Sequence, residues 1–415
     1  MEDRPCATAV QVAGISSLKK TASVSARRDP AHLAFVQQLI QSGMQIGTHQ
    51  ITGHWKASSE DRFLVRVGVP VPSLGDNCKN AVCSLFGVFD GHSGASCSDF
   101  VAVHLDKTVF DSIRHRTTRD QSGGREVTSD ITVKSALLAA FRTTEHNFFQ
   151  YANKLEGGAA HAWATAGSTA CTAFFYGPDE EGNVRLVTAN AGDSRAVLGK
   201  FDGRAVRLTE DHTPDVPSER RRIEQEGAAI VNAQGIWRIV LPSRRGSQFA
   251  GLSVSRGFGD HEYKQPASVV SAVPDVVLRA ADIDEDSFIV IASDGVWGSV
   301  DDTEAVRIVS SILSEGGEGA TKRAAQVLAE TAHHREASDD KTALVVWFGR
   351  QPNKPPDVAR TSAPKLPHPA VVRQQALHQA VTSGMRVAGE DNMFAMASSR
   401  RSGDSLDLFA GACAG

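Results

Sequence analysis

Cysteine is scarce in this 415-residue chain: Cys6, Cys78, Cys83, Cys97, Cys171 and Cys413 lie scattered, with no C-x-x-C pair. That spacing argues against a disulfide framework and against a zinc site, and it suits reduced thiols in a cytosolic protein. Absent too is any run of about 18 apolar residues, the length needed to span a bilayer. The N-terminus, Met1-Glu2-Asp3-Arg4, offers neither the apolar stretch of a signal peptide nor a glycine for myristoylation. These absences predict a soluble protein of the cytoplasm, with the nucleus left open, and no membrane partner. A basic excess is missing as well. The formal net charge is −4, whereas nucleic-acid binders reach phosphates through a positive face, so no nucleic-acid partner is expected. What is present is ordinary for a folded protein, 41% hydrophobic and 22% charged residues, which excludes a chain that is disordered throughout or fibrous. The length fits one large domain or two ordinary ones.

Composition divides the chain into a core and two tails. Residues 1–33 are rich in Ser, Ala, Lys and Arg without sustained periodicity, as a flexible leader would be. Between Arg350 and Pro369 six of the sixteen prolines appear, a density that excludes helix interiors and central strands and favours an extended linker. The Ala-, Ser- and Gly-rich remainder to Gly415 is expected to be mostly flexible, leaving 34–349 as the folded domain. Basic pairs precede hydroxyl residues in both tails, Lys19-Lys20 before Thr21 and Arg400-Arg401 before Ser402. Such pairs are common in solvated loops and are read that way.

Within the core, short apolar runs alternate with a few longer helical patterns. Ser84 to Phe89, Ser168 to Tyr176, Val184 to Ala191, Arg195 to Gly199, Ser287 to Ala292 and Ala343 to Phe348 carry the β-branched and aromatic residues of strands. Helical spacing places Phe100, Val101, His104, Leu105, Val109 and Ile113 on one face, and Leu137, Ala140, Phe141, Phe148 and Tyr151 on another. Two further helices are predicted near Glu304 to Leu313 and Thr321 to Thr331. Strands and helices in separate blocks suggest an α+β layered domain.

Chemistry enters where the aspartates sit. The runs Phe86 to Phe89 and Phe288 to Ile291 are followed by Asp90-Gly91 and by Ala292-Ser293-Asp294-Gly295. A carboxylate just past a buried strand is fixed by the sheet yet faces its open end, and the glycine lets the backbone turn sharply. Either dipeptide alone is an ordinary turn. Further acidic groups at strand ends, Glu60-Asp61, Asp193 and Asp339-Asp340, point to a shared acidic cleft that would repel itself and raise its own pKa values. Hard divalent cations with oxygen ligands, Mg²⁺ or Mn²⁺, would resolve that repulsion.

These landmarks, in order from Gly43 to Trp347, resemble the metal-dependent type-2C family of serine/threonine protein phosphatases. They include Ser59-Glu60-Asp61, Asp90-Gly91-His92-Ser93-Gly94, Gly192-Asp193-Ser194-Arg195, Ser255-Arg256-Gly257-Phe258-Gly259-Asp260, Ser293-Asp294-Gly295 and Ser338-Asp339-Asp340-Lys341-Thr342. The resemblance implies a sandwich of two antiparallel β-sheets flanked by α-helices, with a metal site at one end. It also implies phosphorylated proteins as substrates, a two-metal activated water and no phosphoenzyme. Asp90 would bridge two Mg²⁺ or Mn²⁺ ions, with Asp294 and Asp339 on one ion and the Gly91 carbonyl on the other. Glu60 and Asp61 would hold waters or touch an ion, Asp61 acting with His92 in catalysis. His92 resembles the family's general acid.

Three departures accompany the match. Lys56 stands where relatives carry a phosphate-gripping arginine, so it would supply charge without the bidentate fork. Gly298 replaces an aspartate that with Asp193 would hold a third ion, which leaves that ion in question. The stretch from Asn232 to Phe249 is longer than usual beside the site, with Arg238, Arg244 and Arg245 as candidate phosphopeptide contacts or an ordinary solvated loop. The chain is expected to act as a monomer. Two other functions are compatible with these residues, a silent binding scaffold and a hydrolase of small phosphoesters.

Overall fold

A computed structural model describes residues 30–70, 82–121, 130–155, 162–179, 182–241, 251–282 and 284–349, and in it two five-stranded antiparallel sheets pack against each other. One sheet has the order β1 (Gln45–Ile51), β15 (Lys341–Trp347), β14 (Asp286–Ala292), β8 (Arg195–Lys200), β9 (Ala205–Arg207). The other runs β13 (Asp275–Ala281), β7 (Val184–Ala191), β6 (Ala170–Gly177), β3 (Val82–Phe89), β2 (Arg62–Pro70).

Side chains on a strand alternate between its faces, and here both faces are covered. Along β14, Ile289 and Ile291 enter the space between the sheets with Phe86, Val88, Leu344 and Val346. Phe288, Val290 and Ala292 pack on the opposite side, among residues of α6 (Asp302–Glu315) and α7 (Ala320–Arg335). β3 turns Leu85 and Phe89 toward α2 (Ser96–Gln121) and α3 (Asp130–Ala152). Every residue of β3, β14 and β15 is therefore buried, which is why these segments read as nearly unbroken apolar runs. Each fully buried Phe or Ile contributes about 1.5–3 kcal/mol relative to an exposed one. Asp301 caps α6 by accepting a hydrogen bond from the Glu304 amide at 2.8 Å.

Beyond the end of β3, three two-residue strands form a small ribbon in the order β12 (Phe258–Gly259), β5 (Gly167–Ser168), β4 (Gly91–His92). A hairpin of β10 (Ala229–Ala233) and β11 (Ile236–Val240) packs with α4 (Pro217–Gln225) around Ile223, Ile239, Leu241 and Tyr263. α5 (Asp294–Trp297) is a single turn following β14, and α1 (Pro30–Gln38) opens the described part of the chain.

The α+β sandwich expected from the sequence is present, and the differences are local. The predicted strand Ser168 to Tyr176 is interrupted at Thr169, whose amide donates to the Asp90 carbonyl at 2.9 Å. Tyr151, placed on the buried face of its helix, is 48% exposed near the helix end, with its ring 4.8 Å from that of Trp163. The boundary drawn at residue 33 falls inside α1. The leader before Pro30, the linker and tail after Gly349, Arg244, Arg245 and the basic pairs all lie outside the described residues.

Among the described residues the core runs from Val36 to Phe348 and the final strand ends at Trp347. A chain ended after Arg350 is therefore expected to melt within about 2 °C of the full-length protein, the span of roughly 0.5 kcal/mol typical of changes outside a core. Calorimetry on the two chains checks this, and a drop of several degrees would mean that the tail packs on the domain.

Candidate active site

Two sheets deliver their aspartates to the same place. β3 ends at Phe89, and the next residue, Asp90, is tied down through its backbone: its amide donates to Thr169 Oγ1 at 3.0 Å and its carbonyl accepts from the Thr169 amide. Thr169 Oγ1 also bonds Ser194 Oγ at 2.7 Å, fixing the turn that carries Asp193. β14, in the other sheet, leads through Ser293 to Asp294, the first residue of α5. Ser293 Oγ accepts from the Thr342 amide at 3.0 Å, and this locks the Asp294 turn to the start of β15, beside Asp339 and Asp340. Gly91 is required by close approach: a Cβ there would stand 2.4 Å from the Glu60 carbonyl oxygen and 2.7 Å from Ser98 Oγ.

The loop between β1 and β2 is organised by Asp340, which is 1% exposed. Its Oδ1 accepts from the Gly53 amide at 2.8 Å, and its Oδ2 from the Glu60 amide at 2.8 Å and Lys56 Nζ at 3.0 Å. Although burial works the other way, these donors hold the Asp340 carboxyl below its ordinary range. Lys56 Nζ also lies 3.0 Å from Asp339 Oδ1 and 3.2 Å from Glu60 Oε2. Burial alone would lower the Lys56 pKa, but the Asp340 and Asp339 carboxylates override it and keep the ammonium charged well above its usual range. Glu60 Oε1 accepts from the Gly94 amide at 2.6 Å.

The remaining aspartates perturb one another. Asp61 is fully buried, and neither of its carboxylate oxygens has a hydrogen-bond partner among the described residues. Burial pushes its pKa up to about 7, a rise that the nearby Thr342 and Ser293 hydroxyls moderate without reaching bonding geometry. Asp90 is raised well above the carboxylate range by burial and then by Asp61 and Asp294. Asp193 is raised by burial and then by Asp294 and Asp211, while Asp294 is raised by burial and then by Asp339. One Asp294 oxygen, Oδ1, is likewise buried without a partner. Such a cluster is unstable as four bare anions, and its orphaned oxygens are positioned to accept cations.

A cavity of about 230 Å³ gathers these groups. Lys56, Asp90, Gly91, His92, Asp193, Asp294 and Asp339 all line it, so seven of the nine candidate catalytic, metal and phosphate-binding residues share one space. Glu60 and Asp61 do not line it: Glu60 reaches it through its ion pair with Lys56, and Asp61 acts on Asp90 through its charge. Arg238, on β11, also lines the cavity, together with Leu252, Ser253 and Val254. Arg238 Nη1 donates to the Gly251 carbonyl at 2.9 Å. His92 Nε2 sits 2.9 and 3.1 Å from the two carboxylate oxygens of Asp260. Burial lowers the imidazole pKa, yet Asp260 more than offsets this and the group stays above its ordinary value. A Cβ on Gly298 would meet only the Asp294 carbonyl, at 3.1 Å.

Sequence reasoning missed the clamp role of Asp340 and the contact of Asp260. Nothing in Asp339-Asp340 says which of two adjacent aspartates turns inward, and Asp260 lies far along the chain from His92. Among the described residues no three His, Cys, Asp or Glu side chains converge as a complete ligand set.

The family model described as Protein phosphatase 2C matches residues 52–341. A probable protein phosphatase 2C 59 of Oryza sativa subsp. japonica is 34% identical over 302 residues, covering 73% of this chain and 75% of the relative. A probable protein phosphatase 2C 59 of Arabidopsis thaliana is 33% identical over 293 residues, covering 71% and 76%. Among solved structures, a serine-threonine phosphatase 2C from Toxoplasma gondii aligns with a TM-score of 0.58 at 23% identity, covering 73% of this chain and 94% of that one. A C. elegans sex determining protein aligns with a TM-score of 0.58 at 20% identity, covering 75% and 66%. At those identities the two structures speak for the fold.

Proposed function

This chain belongs to the protein phosphatase 2C family and is a metal-dependent protein phosphatase, and from that premise we propose that it hydrolyses phosphoserine and phosphothreonine side chains with a directly attacking water. The observation that carries this reading is the convergence of Asp90, Asp193, Asp294 and Asp339 on one cavity, with a histidine and two cationic side chains on its walls.

The donor set suits hard divalent cations. All the candidate ligands are oxygens, and orphaned carboxylate oxygens on Asp61 and Asp294 await a positive partner. Asp90 would be shared between two Mg²⁺ or Mn²⁺ ions, Asp294 and Asp339 would serve one, and the Gly91 carbonyl the other. Glu60 and Asp61 would hold waters around them, and water would complete each shell, as Mg²⁺ prefers. Asp193, with Gly298 in place of the second carboxylate that the resemblance implies, supports a third ion least well. Bound there, the cations supply charge compensation and a more acidic attacking water.

The chain's own side chains do the rest. His92 holds a proton for the serine or threonine oxygen that leaves phosphorus. Lys56 and Arg238 both line the cavity, so a phosphate dianion entering it meets an ammonium and a guanidinium. Release of orthophosphate from phosphoserine and phosphothreonine peptides with Mn²⁺, set against small phosphoesters, tests the reading. Turnover confined to the small esters would overturn it.

Lys56 offers a sharper test. A charge-assisted contact worth ~1.5–3 kcal/mol predicts that Lys56→Ala lowers kcat/KM on a phosphopeptide about tenfold or more. Lys56→Arg, with a planar pair of donors, should lower KM. The loop should survive both changes because the Gly53 and Glu60 amides still hold Asp340. An alanine variant with unchanged kcat/KM would leave Lys56 as a counter-charge to Asp339 and Asp340 alone.

A further inference from the structure

The ribbon β12–β5–β4 does more than close the end of the sandwich. Its registers set His92 opposite Gly167 and Gly167 opposite Gly259, so His92 and the residue after Gly259, Asp260, flank one glycine. A Cβ on Gly167 would lie 2.2 Å from His92 Nε2 and 2.3 Å from Asp260 Oδ2. The space in which the imidazole and the carboxylate meet exists because residue 167 has no side chain.

We propose that Asp260 is a positioning residue for this phosphatase, its buried carboxylate fixing His92 through Nε2 so that Nδ1 is the nitrogen left for the leaving oxygen. The inference rests on the reading of His92 as proton donor given above.

Several observations support a built arrangement over a chance contact. Asp260 is 3% exposed and adopts φ 53°, the left-handed conformation that non-glycine residues rarely take. Its amide donates to the Ala166 carbonyl at 3.0 Å and its carbonyl accepts from the Tyr263 amide at 2.9 Å, so the unusual backbone is bonded on both sides. The strand leading to it is clamped from behind. Glu145 accepts from the Gly259 amide at 3.0 Å, and Lys264 Nζ donates to the Gly257 carbonyl at 2.7 Å while pairing with Glu145. Nδ1 of His92 has no hydrogen bond from the described residues, and the ring lines the cavity.

The chemistry balances without a further reactant. As the water oxygen bonds to phosphorus, the ester P–O bond breaks and its electron pair stays on the serine or threonine oxygen. That oxygen takes the proton from Nδ1. The Nε2 hydrogen remains on its bond to Asp260, leaving a neutral imidazole in one tautomer, which regains its proton from solvent. Asp260 itself exchanges no proton, as in other aspartate–histidine pairs.

The test uses leaving groups, because p-nitrophenolate departs without a proton and a serine oxygen does not. With Mn²⁺ present, Asp260→Asn and His92→Ala should each lower kcat on a phosphoserine peptide by about a hundredfold, the low end for general acid catalysis. Each should leave kcat on p-nitrophenyl phosphate within about threefold and KM for the peptide nearly unchanged, and the double variant should lose no more than His92→Ala alone. Gly167→Ala, which keeps both side chains and pushes them apart, should reproduce the pattern and serves if Asp260→Asn does not fold. Equal losses on both substrates for Asp260→Asn, or wild-type peptide turnover from it beside a selective loss in His92→Ala, would overturn the positioning role. If His92→Ala shows no selectivity, the proton-donor reading fails and the inference with it.

Discussion

Asp90→Asn is expected to lower kcat/KM on a phosphopeptide by at least about a hundredfold while the protein stays folded. Losing a residue that only orients a metal ligand already costs roughly 10–100-fold, and Asp90 is proposed as a ligand shared by two ions. The fold should not suffer, because the backbone of Asp90 is held by Thr169 whatever its side chain carries. Its carboxylate, moreover, faces Asp61, Asp294 and Asp193. An amide of the same shape removes one charge from that group. In excess chelator the variant should therefore melt above the wild type, by about 2 °C or more for each ~1 kcal/mol of repulsion relieved. Wild-type turnover, or a chelated variant that melts lower, would take the bridging role away from Asp90.

Chelation itself should have the other large effect. Excess EDTA is expected to reduce orthophosphate release to background, with Mn²⁺ or Mg²⁺ restoring it, since the cluster of buried carboxylates offers only hard oxygen ligands and the attacking water depends on the cations they would hold. A second signature follows from the raised carboxylates. Without cations, burial pushes Asp61 up to about 7, and Asp90 and Asp294 are also raised above the range they have in an unfolded chain. Between about pH 4 and pH 7 the native state then binds more protons than the unfolded state, so stability falls as pH rises. The melting temperature of the chelated protein should decline across that window, and saturating Mn²⁺ should flatten the decline because the cation replaces the protons. Full turnover in chelator, or a chelated protein equally stable at both ends of the window, would count against a cation site built on these aspartates.

Much of this was legible in the residues for a definite reason. Asp90 and Asp294 follow strands buried on both faces, and such strands print as apolar runs that stop abruptly, which marks the carboxylate at their ends. The helices over the outer faces kept enough periodicity for most of the residues they bury to be picked out, Tyr151 being the exception. What could not be read was distance between parts of the chain. The pairing of His92 with Asp260 depends on three two-residue strands too short to leave a pattern, and on Gly167, whose value is the absence of a Cβ. Lys56 could be picked out as a cation near the site. That its ammonium meets three carboxylates depends on Asp340 folding the loop back, which spacing alone does not encode. The break at Thr169 was hidden because threonine suits a strand, and only its bonds to Asp90 show why the strand stops there.

The strand order of the first sheet carries one more consequence. β15, the last strand among the described residues, lies between β1, the first of them, and β14, with Trp347 paired to both Gln45 and Phe288. A polypeptide still being translated and short of Trp347 has an opening strand with no neighbour and lacks the segment that brings Asp339 to Asp294. Pairing across so long a sequence separation is slow, and it cannot begin until the final segment has left the ribosome. A nascent chain is therefore expected to gain activity only once it has been extended past Trp347.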